Sequence, residues 1–270
     1  MKIFSFIVAL VYLATWLKYL HVFLTEGDRH VLGARVLAVV AVALHGIYFA
    51  SLGLELRHPP MGTVFESLTT LALMLSVIYL HLEFRSNTSS TGMPIFFMVF
   101  GLQLVSSLFM KFTPDASRMM GSPMLIAHIF LALVGYTAFA VAFLYSILYL
   151  LLHRELRSGK FRLLFRNMPS IEELDEMNFR ASLIGLIALF VSVALGFAWS
   201  EINFGQLPFS DPKVTMTVLT WLIYLVIFVF KTMFGWSGKR IAVLSVCGFL
   251  LVLVSIALIN QMPSTFHNMY

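Results

Sequence analysis

Eight continuous apolar runs, residues 3–24, 32–54, 65–84, 93–111, 122–152, 178–200, 214–234 and 239–260, make up most of this chain. Each is near the ~20 residues that an α-helix needs to cross a hydrocarbon layer ~30 Å thick. In that solvent every backbone N–H and C=O must be paired internally, so only helices and closed barrels can span it. A barrel would show alternating segments of ~10 residues, and the runs here are unbroken. The expected fold is therefore all-α: a polytopic membrane protein, one membrane domain over residues 1–270, built as a single bundle of about eight transmembrane helices. An even number of crossings puts both termini on the same side. The charged fraction of 11% against 60% apolar residues excludes an ordinary soluble domain.

The first run exceeds the 7–15-residue apolar core of a secretory signal, and no small-residue cleavage site follows it, so it is expected to be a retained helix. The one cysteine, Cys247, falls inside the last run. Disulfides, paired-cysteine zinc sites and a C-x-x-C-H haem attachment are thereby excluded within the chain. Any haem held here is held noncovalently.

Basic residues set the orientation, because short loops rich in Lys and Arg stay on the cytoplasmic side. Of the 18 Lys and Arg, 13 belong to loops 25–31, 85–92, 153–177 and 235–238 with their helix ends; Lys2, Arg57, Lys111, Arg118 and Lys213 lie on the other side. Both termini and loops 55–64, 112–121 and 201–213 are therefore expected outside. The net charge of +5 follows from this asymmetry and suits anionic headgroups, with no need for nucleic acid. The basic stretch HRELRSGKFRLLFRN, 153–167, is a surface linker or a docking segment. After it, Ser170 and Glu173 read as a capping box opening a helix that runs into the sixth span.

Polar side chains that face lipid are costly, so those inside the runs should face protein, water or a ligand. His58, His128 and His267 fall near the expected outer surface, His21, His81 and His153 near the inner one, and His45 alone near mid-membrane. Two outer imidazoles converging from separate segments have the chemistry to clamp a haem iron, or each simply bonds water or headgroups. Glu66, at the start of the third span, caps a helix or orients an imidazole. In the loop WSEINFGQLPFSDPK, 199–213, Trp199, Phe204 and Phe209 bracket Gly205 and Pro208, which resist helix, and Asp211-Pro212 opens the next span. Those rings form either a shelf for a flat ligand or an interfacial belt, and on composition alone the belt is the simpler account. No phosphate-binding loop and no Ser-His-Asp arrangement is legible. A b-type electron carrier would need paired deep histidines, and an inverted-repeat transporter matching broken helices; neither pattern is present.

Four stretches together resemble the integral-membrane haem-handling family of cytochrome c maturation, which includes CcsA, CcmC and HemX-like proteins. HPPMGTVFESL, 58–68, is similar to the family's His-Pro segment leading into a helix. In MLIAHIFLALVGYTAFAVAFLYSILYL, 124–150, His128 stands where the family has the histidine before its signature loop. The 199–213 loop resembles the tryptophan-rich signature W-x5-W-G-x-Y-W-x-W-D-P-K-E. Trp199, Gly205, Asp211, Pro212 and Lys213 match, Phe204 replaces the second tryptophan, and Leu207, Pro208, Ser210 and Val214 replace the Tyr, Trp, Trp and Glu. The stretch 235–267 resembles the last helix and the second outer histidine, at His267. Where full synthase members carry a further histidine in a helix, this chain has Val229.

The resemblance implies a protein of the bacterial cytoplasmic (inner) membrane that handles haem b noncovalently, by ligation and delivery rather than catalysis of its own. His128 and His267 would be axial ligands of the iron. Trp199, Phe204, Gly205, Phe209 and Asp211 would form the platform, Lys213 or Arg118 would meet the propionates, and Glu66 and His58 would lie nearby. The partners implied are lipid, haem, and apocytochrome c or another cytochrome-assembly protein. The eroded loop leaves open a HemX-like regulator or assembly subunit that has lost haem binding and acts through a protein partner.

Overall fold

The computed structural model describes residues 1–25, 30–86, 89–109, 120–159, 163–207 and 211–259. Along the chain these form α1 (Lys2–Thr25), α2 (Val31–Leu56), α3 (Val64–Ser86), α4 (Gly92–Phe109), α5 (Pro123–Ser158), α6 (Leu163–Asn167), α7 (Ile171–Phe204), α8 (Pro212–Phe234) and α9 (Lys239–Ile259). No strand occurs among the described residues. Seven of these helices, α1 to α5, α7 and α8, are long and apolar enough to cross a membrane, and α9 occupies the eighth apolar run. The all-α, multi-pass fold read from the sequence is what the structure has.

The chain divides into two compact units, residues 1–118 with 161–169, and residues 119–160 with 170–270. In the first, α1 to α4 close a ring in which α1 contacts α2 and α4, and α3 contacts the same two. In the second, α5 and α7 form the main contact, and α9 packs on α5 and α8.

The interior of the first unit is polar. Ser5, Tyr12, Thr15 and Tyr19 recur at helical spacing on α1, and all are buried. His45 Nε2 lies 3.0 Å from Thr69 Oγ1 and its Nδ1 2.9 Å from the Tyr12 hydroxyl, which also meets Ser76 Oγ at 2.9 Å. Thr69 donates to Gln103 Oε1 at 2.6 Å, and the Gln103 amide donates to Ser5 and Ser107, whose hydroxyls are 2.6 Å apart. Four helices are thus cross-linked by side chains that each have a partner. That is the condition under which polar groups are tolerated away from water. Further along α3, Glu83 accepts from the Tyr19 hydroxyl at 2.5 Å and pairs with Arg35 at 3.1 Å. Outward-facing positions carry the reverse pattern, with Ile3, Leu10 and Leu54 largely exposed, as lipid-facing side chains should be.

Helix ends in the second unit follow local chemistry. Ser170 Oγ accepts the Glu173 N–H at 3.1 Å while the Glu173 carboxylate accepts the Ser170 N–H at 2.8 Å, so the expected capping box is present. Ser170→Ala should lower stability by about 1 kcal/mol, read as a reduced thermal midpoint in detergent; an unchanged midpoint would show that this cap contributes nothing. The loop between α7 and α8 is shorter than the 201–213 expected from hydropathy, because α7 continues to Phe204. Nothing between Trp199 and Phe204 breaks a helix, and Gly205 stops it by taking the left-handed conformation, φ 64°, with its N–H on the Glu201 carbonyl. Likewise much of the expected 153–177 loop is helical: α5 runs to Ser158 before Gly159 at φ 66°, and α6 and the first turns of α7 occupy most of the rest.

Candidate functional site

The sequence-derived site residues divide between the units, His58 and Glu66 belonging to the first and His128, Trp199, Phe204, Gly205, Asp211 and Lys213 to the second. Phe209, His267 and Arg118 lie outside the described residues.

In the first unit the pair is structural in its local bonds. The His58 ring is buried with Nδ1 2.9 Å from the Pro59 carbonyl, so that nitrogen donates. Glu66, also buried, accepts the Gly62 N–H at 2.9 Å, and Thr63 Oγ1 accepts the Glu66 N–H at 3.2 Å. These two bonds close the turn before α3, which is the capping alternative for Glu66. His45 has both ring nitrogens engaged by Tyr12 and Thr69. In this arrangement neither has a lone pair directed at a metal.

The second unit gathers a more suggestive set at one end of the α5/α7 pair. His128 is in the second turn of α5, six residues after the N-cap Ser122, and Trp199 is in the last two turns of α7. Because the helices run antiparallel there, the two residues share an end. His128 Nδ1 approaches the Ser192 carbonyl to 2.7 Å, and Ser192 Oγ donates back to the His128 carbonyl at 2.8 Å. Trp199 Nε1 donates to Ser122 Oγ at 3.1 Å. Both side chains are thus anchored across the helix pair, each half-buried.

Phe204 meets Trp199 with ring centroids 5.4 Å apart and planes at 79°. Two rings at right angles offer one flat face between them, so these two do not make a continuous shelf. Gly205 is exposed beside them. Asp211 is buried and caps α8, its Oδ1 accepting the Lys213 N–H at 2.8 Å with Pro212 in the first turn. The Lys213 side chain is exposed.

Sequence reading missed Ser122, Ser192 and Gly196. Serines in apolar runs are common enough to carry no signal singly, and only the fold pairs residues 64 positions apart. His21, His81 and His153 form no site in the described part: His81 is exposed, the His21 ring has its centroid 4.8 Å from that of His30, and His153 stacks on Tyr149. Among the described residues, no three His, Cys, Asp or Glu side chains gather to hold a metal ion.

Comparison with known proteins adds an independent line. The family described as Cytochrome C assembly protein matches residues 61–267. Protein HemX of Brevibacillus brevis is 31% identical over 219 residues, covering 79% of this chain and 79% of that protein. The cytochrome c biogenesis protein CcsA of Prochlorococcus marinus (strain MIT 9312) is 27% identical over 241 residues, covering 78% and 76%. That of Guillardia theta is 24% identical over 258 residues, covering 87% and 84%.

Proposed function

Because the chain belongs to the cytochrome c assembly protein family, we propose that it handles haem in cytochrome c maturation or a related haem pathway, holding it noncovalently at the outer face of the membrane. The observation that supports this most is the anchored imidazole of His128 sharing one end of the α5/α7 pair with the anchored indole of Trp199. An imidazole whose proton is held at Nδ1 carries its lone pair on Nε2, the form that ligates iron, and an indole face suits a porphyrin plane.

Haem is cargo in this reading. His128 and His267 would hold its iron, with Trp199 against its face and Phe204, Gly205, Phe209 and Asp211 shaping the loop. Lys213 would meet the propionates. When bound, haem brings the porphyrin iron that a maturing cytochrome requires. The protein's own contribution is to ligate, to orient and to release, with no covalent step. The distribution of Lys and Arg supports the orientation, with both termini and the 205–211 segment outside the bacterial cytoplasmic membrane. Apocytochrome c or another assembly protein would be the recipient.

The test is the absorption spectrum of the protein purified in mild detergent, before and after haem addition. A Soret band is expected that falls in the His128→Ala/His267→Ala double variant. No band after haem addition, or one the double variant leaves intact, would overturn the proposal.

Two observations favour a second reading, a regulator or assembly subunit that no longer binds haem. Phe204 stands edge-on to Trp199, and Val229 replaces a helix histidine. Such a protein would act through a partner docked on the basic 153–167 stretch. Co-purification with that stretch neutralised decides it: unchanged partner recovery rules out this docking surface.

A further inference from the structure

We infer that Ser192 and Gly196 are positioning residues for His128, fixing its tautomer and directing Nε2 as the nitrogen through which it would bind a metal. The inference rests on the haem-handling reading for its purpose, and on local geometry alone for its mechanism.

A carbonyl oxygen can only accept. With Nδ1 at 2.7 Å from the Ser192 carbonyl, the neutral ring must carry its proton on Nδ1, which leaves the lone pair on Nε2. Ser192 Oγ lies 3.1 Å from the same nitrogen, but its own hydrogen is committed to the His128 carbonyl, so it too faces Nδ1 as an acceptor. Both oxygens select the same tautomer. Ser192 is buried, so water does not compete for these bonds.

Gly196 supplies the room. A Cβ built there would stand 2.7 Å from His128 Cε1 and 2.8 Å from Nδ1, closer than real Cβ contacts come. Residues 192 and 196 are one turn apart on α7, so the carbonyl of the first and the bare Cα of the second form a slot that the imidazole fills edge-on. Trp199 follows about one turn further along the same helix. Any side chain at 196 would drive the ring out of the slot and away from the carbonyl that sets its proton. Metal-bound histidines generally depend on such a partner at the other nitrogen, and losing it typically weakens binding roughly 10–100-fold.

The experiment has two arms. In the first, nitrogen NMR of the haem-free, histidine-labelled protein in detergent identifies the His128 signals by their loss in His128→Ala. A proton on Nδ1 is expected in the unsubstituted protein, with altered signals in Gly196→Ala. A proton on Nε2 overturns the inference, and so do His128 signals unchanged by Gly196→Ala. In the second arm, haem titration followed at the Soret band should show Gly196→Ala weakened roughly 10–100-fold, while Gly196→Ala adds no loss in a His128→Ala background. Equal losses in both backgrounds would make Gly196 merely a packing residue and refute its role. Should Gly196→Ala fail to fold, the tautomer of the unsubstituted protein still decides. If the tautomer and its response are as expected but no haem binds, the haem proposal fails and the positioning stands.

Discussion

Glu83→Leu should cost about 3 kcal/mol of unfolding free energy, the lower end for breaking a buried ion pair from one side. Glu83 is 1% exposed inside the first unit, with one carboxylate oxygen on the Tyr19 hydroxyl and the other on Arg35 Nε. A leucine would leave the Tyr19 hydroxyl and a guanidinium without their acceptor in an apolar surround. The Arg35 side chain is 20% exposed, so it can partly escape toward headgroups, which keeps the cost from the upper range. Arg35→Leu in the same background should restore part of the loss, because the stranded charge is then gone. The check is unfolding in bilayer nanodiscs for the two single variants and the pair. Strictly additive losses would show that the two groups do not act together.

Gly185→Val is expected to destabilise the second unit by about 3 kcal/mol. A Cβ at 185 would run into the Phe139 ring and come within 3.1 Å of the Gly135 carbonyl. Phe139 has nowhere to retreat, since its other face lies parallel on Tyr224 with centroids 3.6 Å apart and planes at 7°. Helix association in lipid relies on such close approach, having no difference in polarity between helix and solvent to drive it. The measurement is the thermal midpoint in detergent, with Phe139→Ala/Gly185→Val as the companion. Relief in the double variant would trace the damage to that contact; no destabilisation in the single variant would refute it.

Individual helices were readable from sequence because span length and end chemistry are local. Ser170 and Glu173 predicted their capping box, Asp211-Pro212 its helix start, and the apolar runs their crossings. Which helix meets which was not readable. In water an apolar stripe marks the buried face, but a helix in lipid is apolar on both faces and the stripe loses its phase. The few polar residues keep it: Ser5, Tyr12 and Tyr19 fall on one side of α1, and their partners lie on α2, α3 and α4. The candidate site shows the same division. His128 and Trp199 could be picked out by type and resemblance. Ser192, Ser122 and Gly196 could not, since each matters only through a neighbour more than 60 positions away.

The length of α7 carries a mechanical consequence. Its 34 residues form one unbroken rod of about 51 Å, against a hydrocarbon slab of ~30 Å. The capped acidic end at Ser170 and the indole at Trp199 therefore belong to the same stiff shaft. A twist or thrust delivered to the first by any docking protein arrives at the second without a hinge to absorb it.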